Sequence, residues 1–197
     1  MAEARPIAVA MAGLLSLAVA MGIGRFAFTP LLPMMLHDGV IDLPGASGLA
    51  TANYLGYWLG AMACTVQPLL WARWRVKAAL PHTRMVRIGL LATVVLTLGM
   101  VVPSAQLWPV WRFLAGMASA VVFVYVAGWC LARLTALGAP ALAGLIFVGP
   151  GMGITVSGLA ASGMVASGWQ AATAWAMFGA LAAVQQRSTT GVVQFRL

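Results

Sequence analysis

Charged residues are scattered so thinly along this chain that the uncharged intervals between them define its elements. Those intervals run from Pro6 to Gly24, Leu43 to Ala72, Ile88 to Trp111, Phe113 to Ala132 and Leu134 to Gln186. A helix needs about 20 mostly apolar residues to cross the hydrocarbon core of a bilayer. As one helix the last interval would be about 80 Å long, at 1.5 Å per residue. It must fold back on itself, and Ser167-Gly168 ahead of Trp169 is the turn signal. The pattern predicts an all-α membrane protein with six transmembrane helices, at about 7–36, 47–71, 86–104, 108–132, 140–164 and 169–185. A short segment 1–6 precedes this 7–185 domain, and a polar tail 186–197 follows it.

Composition excludes most other classes. The chain is 62% hydrophobic and 7% charged, against about 25% charged in soluble domains. With Asp+Glu at 3 and Lys+Arg at 11, it cannot present a soluble surface to water. A soluble enzyme, a disordered tail and a disulfide scaffold are ruled out. Cys64 and Cys130 lie in apolar runs without CxxC spacing and read as small buried side chains. Arg5 before an apolar run ending in Ala18-Val19-Ala20 has the outline of a secretory signal. The run nevertheless continues through Phe26-Ala27-Phe28 to Leu36, beyond the about 7–15 apolar residues of a cleaved signal, so a retained first helix is expected.

The net charge of +8 is explained by topology. With the N-terminus in the cytoplasm, the inner segments hold Arg5, Arg73, Arg75, Lys77, Arg84, Arg87, Arg133, Arg187 and Arg196. The outer segments, around 37–46, 104–107 and 165–168, hold no Lys or Arg, only Asp38 and Asp42. This asymmetry places both termini in the cytoplasm and needs no nucleic-acid partner.

Arg25 and Arg112 escape that rule. Arg25 lies deep in the first predicted span and Arg112 about one turn into the fourth. Arg at the bilayer centre costs about 2.5–3.5 kcal/mol on insertion scales, so such a residue either snorkels to the headgroups or faces a cavity or partner. If their helices are neighbours, the two form one positive pocket for an anionic solute. Asn53 and Tyr57 share a helix face and, with Tyr125, are the polar groups read as further solute contacts; interfacial anchoring explains Tyr57 equally well. Gly56 and Gly60, and Gly149 and Gly153, form GxxxG pairs that read first as close helix packing. Pro150 should kink the fifth helix, as a hinge or simply as a tolerated proline. The predicted spans contain no Asp or Glu, and His37 and His82 lack partners for nucleophilic or metal chemistry. Neither an enzyme nor a cofactor or metal site is expected.

These residues resemble a known family. Gly22-Ile23-Gly24-Arg25-Phe26-Ala27-Phe28-Thr29-Pro30-Leu31-Leu32-Pro33-Met34-Met35 is similar to the first-helix signature of the YbfB/YjiJ family of the major facilitator superfamily. Ala52-Asn53-Tyr54-Leu55-Gly56-Tyr57-Trp58-Leu59-Gly60-Ala61 resembles that family's second helix. Arg112 followed by Gly116 resembles the superfamily's fourth-helix pattern, and Gly149-Pro150-Gly151-Met152-Gly153 partly matches its fifth-helix Gly-Pro motif. The resemblance spans about residues 7 to 184. It implies a secondary transporter of the bacterial inner (plasma) membrane, with the chain as the N-terminal half of the fold, a 3+3 inverted repeat. It also implies that Gly22, Gly24, Gly56, Gly60, Gly116, Gly149, Pro150 and Gly153 serve packing or hinge motion, and that the first and fourth helices bring Arg25 and Arg112 together.

The chain departs from the superfamily in two ways. The stretch from Gln67 to Arg87 lacks the usual Asp of the Gly-x-x-x-Asp-Arg pattern, and six predicted helices stand where twelve are usual. Three readings follow: half of an alternating-access transporter for a small anionic solute, a truncated six-helix membrane protein without transport, or a half-transporter working as a homodimer. The partners expected are the lipid bilayer, a small-molecule solute, and a second six-helix half or a second copy.

Overall fold

The computed structural model describes residues 5–73 and 82–194, with the main chain alone for 187–194. Arg75, Lys77, Arg196 and the side chain of Arg187, all assigned above to the inner face, lie outside the described residues. Within them every element is helical, and no strand occurs. Six segments follow in order: α1 (Pro6–His37), α2 (Leu43–Arg73), α3 (His82–Gly99), α4 (Trp108–Ala136), α5 (Pro140–Ala166) and α6 (Ala171–Gln194). By length and apolar composition, α1, α4 and α5 are each able to cross a membrane. The helix of the sixth predicted span continues to Gln194, through residues read from the sequence as a polar tail.

Three connections turn on a glycine in the left-handed region, Gly39 (φ +66°), Gly138 (φ +68°) and Gly168 (φ +67°). After each, the next residue donates its N–H back five positions: Val40 to Met35 O (3.2 Å), Ala139 to Leu134 O (2.9 Å) and Trp169 to Met164 O (3.0 Å). This is the six-to-one closure that satisfies late helix carbonyls, and a side chain at the glycine would strain it. The turn expected at Ser167-Gly168 is therefore where α5 gives way to α6. Both described acids sit at helix N-termini. Asp42 Oδ1 accepts from Gly45 N (2.8 Å) at the start of α2. Asp38 Oδ2 accepts from Ala171 N (2.6 Å), tying the end of α1 to the start of α6. Free N–H groups and the helix dipole make these ends favourable for carboxylates.

α1 is the axis of the bundle and packs against α3, α4, α5 and α6. Of its most apolar window 78% is buried, against 44% in α4 and 17% in α5. α2 packs chiefly on α4, α5 on α1, and α3 on both α4 and α6. Glycines bring the main chains of the first two pairs together. A Cβ on Gly56 would land on the Phe113 carbonyl, and one on Gly60 would lie 2.9 Å from Met117 Cα. Likewise Gly149 and Gly153 of α5 meet the carbonyls of Leu14 and Ala18, and Gly22 of α1 meets the main chain of Gly153. Without side chains at these points, backbones approach closely enough for dispersion contacts to replace the missing hydrophobic drive between helices in lipid.

α5 is interrupted at Phe147, one turn before Pro150, where the proline has no N–H to give the Ile146 carbonyl. The irregularity extends upstream, through a short helix Ala143–Ile146 and a 3₁₀ turn at Pro140–Leu142. Pro150 occupies the first turn of the main stretch Val148–Ala166, where a missing N–H costs least.

Candidate functional site

The site is built around an interruption in α1. Residues Ala18–Arg25 wind as a π-helix, eight residues long, and the α-helix resumes at Phe28. The change of pitch disturbs the bonding of main-chain carbonyls. The α-helical donor to the Arg25 carbonyl would be Thr29 N–H, which goes instead to Phe26 O (3.1 Å). The next residue, Pro30, has no N–H to offer. A carbonyl left unpaired in a lipid-embedded bundle is costly, so another group must meet it.

Arg112 does this. From the first turns of α4, its Nη2 donates to Arg25 O (2.8 Å) and its Nη1 to Gly24 O (3.2 Å). The side chain is 3% exposed. Its Cζ lies over the rings of Phe28 (5.1 Å) and Trp175 (5.9 Å). The guanidinium fork thus bridges two adjacent carbonyls, which a single ammonium would do poorly. Asn53 is equally committed. It is 3% exposed, and its Nδ2 donates to the Arg112 carbonyl (2.8 Å), fastening α2 to α4. Gly116 permits this closeness, since a Cβ there would strike the Asn53 carbonyl.

Arg25 is held in a different manner. It is half-buried on the α2 side of α1, with its Cζ 3.8 Å from the centroid of the Tyr57 ring. The rings of Tyr54 (5.2 Å) and Phe26 (5.1 Å) complete an aromatic cradle. Its Nε is buried without an acceptor. No described carboxylate neutralises it, because Asp38 and Asp42 are engaged at helix N-termini. A cation on π faces gains about 0.5–2 kcal/mol, and no hydrogen bond or ion pair to a described residue engages its terminal nitrogens.

The structure therefore brings Arg25, Arg112, Asn53 and Tyr57 together, but with unequal access. Tyr125 stands apart. It lies about 20 Å along α4 from Arg112, hydrogen-bonds through its hydroxyl to Gln67 Oε1, and meets His82 edge-on at 5.3 Å. Tyr54 and Phe26 belong to the cradle although the sequence reading did not place them there. The signal was present, since Tyr54 and Tyr57 are three residues apart on one helix. Gly24 explains itself here too, because a Cβ on it would lie 2.7 Å from Thr93 Cγ2 of α3. Among the described residues, no group of three or more His, Cys, Asp or Glu side chains is placed to hold a metal ion.

Comparison with known proteins places this arrangement. Residues 17–190 match the model of a family described as "Uncharacterised MFS-type transporter YbfB". No curated protein and no solved structure matches the chain.

Proposed function

Because the chain belongs to the YbfB family of MFS-type transporters, we propose that it forms one six-helix wall of an alternating-access pathway for a small anionic solute, which Arg25 contacts. One observation carries this reading: a half-buried guanidinium on the rings of Tyr54 and Tyr57 with no carboxylate partner among the described residues. Arginines at membrane depth usually face a cavity or a partner. Arg112 and Asn53 act behind it, by fixing the interruption of α1 and the seat of α2.

The chain crosses the bacterial inner membrane six times in this reading, with both ends in the cytoplasm. The helix pairing supports a 3+3 inverted repeat. Exchanging the first three helices with the last three turns the α1–α5 pair into α4–α2 and leaves α3–α6 unchanged. The two GxxxG pairs, on α2 and α5, are exchanged by the same operation. The exposure of α5 supports a further helix surface against it, whether a second six-helix half or a second copy. The test is flux of radiolabelled small organic anions in cells producing equal membrane amounts of the wild type and Arg25→Ala. Saturable flux lost in the variant is expected; undiminished flux in the variant would remove Arg25 from the pathway.

A further inference from the structure

Resting on that role for Arg25, we propose that the solute is a monoanion with a planar aromatic body, an aromatic carboxylate. The charge follows from what the site has left to offer. Arg112 is 3% exposed and both its terminal nitrogens donate to carbonyls of α1. The Asn53 amide nitrogen is likewise spent on the Arg112 carbonyl. Of the other described arginines, Arg5 lies about 30 Å along α1 from Arg25, Arg73 about 24 Å along α2 from Tyr57 and Arg133 about 30 Å along α4 from Arg112, while Arg84 and Arg87 lie in the first turns of α3. One accessible cation balances one negative charge. A phosphate or dicarboxylate dianion would enter the cradle with an unpaired charge in a low-dielectric setting, which is costly.

The shape follows from how Arg25 is held. Rings occupy the face of its guanidinium, with Cζ at stacking distance from Tyr57, and Nε is buried, which leaves the two terminal nitrogens. What remains is the edge, a fork of parallel N–H groups that matches the two oxygens of a carboxylate in the same plane. In an aromatic acid the carboxylate is conjugated to its ring, so the ring extends that plane. It then runs over the same aromatic surface, toward Tyr54 and Trp58, whose side chains are 54% and 59% exposed. A saturated ring of equal size meets the fork but loses the offset stacking.

The test uses the full chain in lipid nanodiscs and equilibrium binding of radiolabelled benzoate, with unlabelled benzoate, cyclohexanecarboxylate, succinate and inorganic phosphate as competitors. Benzoate should compete about five- to tenfold better than cyclohexanecarboxylate, with succinate and phosphate far weaker. Tyr57→Leu should bring benzoate down to the level of cyclohexanecarboxylate. Arg25→Gln should abolish binding and Arg25→Lys weaken it, with the helical circular dichroism of each variant unchanged. Equal competition by cyclohexanecarboxylate, or stronger competition by succinate or phosphate, overturns the aromatic monoanion while leaving Arg25 as the contact. Absence of saturable binding by all four anions, or benzoate binding that survives Arg25→Gln, overturns the role of Arg25 itself and this inference with it.

Discussion

Arg25 and Arg112 meet at one break in one helix, yet their surroundings divide them. Arg112 is enclosed, and its two terminal nitrogens are matched to carbonyls that the π-helical stretch leaves short of partners, while its Nε, like that of Arg25, has no acceptor. Arg25 supplies one of those carbonyls from its main chain, while its own guanidinium rests on rings with an edge unused. The contrast shows that a membrane-embedded charge is not by itself a binding group. Its function is read from which of its hydrogen-bond directions the protein has already filled. One arginine is therefore assigned to the architecture and the other to the solute.

Four substitutions and one control test that division, the four in descending order of expected effect. Arg112→Gln removes charge-assisted hydrogen bonds and leaves α1 carbonyls unmet. It should cost about 3 kcal/mol and lower the Tm of the detergent-solubilised chain by about 6–12 °C. A Tm equal to wild type would erase the distinction between the two residues. Gly116→Val places side-chain atoms against the Asn53 carbonyl, and overpacking of this kind costs about 1–3 kcal/mol. Gly158→Ala is its control, because a Cβ there meets nothing; it should hold or slightly raise the Tm through helix propensity. Asp38→Ala should cost about 1 kcal/mol, as for other helix N-caps, and speed amide exchange at Ala171. Arg25→Gln should cost only about 0.5–1 kcal/mol, the lost cation–π contact, while anion flux disappears.

Much of this was legible in the sequence. Uncharged intervals marked where helices form, because a charge inside lipid is costly enough to be avoided unless it is used. The GxxxG pairs marked close approach, and the structure sets Gly56 and Gly60 on α4, and Gly149 and Gly153 on α1. Arg25 stood out for its depth. What could not be read was the partner of each polar group. Nothing local in Trp111-Arg112-Phe113 says that this guanidinium reaches carbonyls 88 and 87 residues earlier in the chain. The π-helical stretch was hidden for the same reason, since it depends on a fork arriving from α4 to satisfy what the change of pitch exposes. Asn53 was read by its helix face, but its amide turned to α4 while Tyr57 turned to Arg25. Tyr125 was chosen as a polar group in an apolar span, and its distance along α4 separates it from the arginines.

The most direct test of the central claim is the water accessibility of position 25. Arg25→Cys in a chain with Cys64 and Cys130 replaced by Ala, treated with a membrane-impermeant methanethiosulfonate reagent, should be modified from the aqueous phase. Position 40, exposed in the turn after α1, supplies the control as Val40→Cys. Labelling at 25 alongside labelling at 40 is the result predicted. A thiol at 25 that stays unreacted while position 40 labels fully would contradict the account.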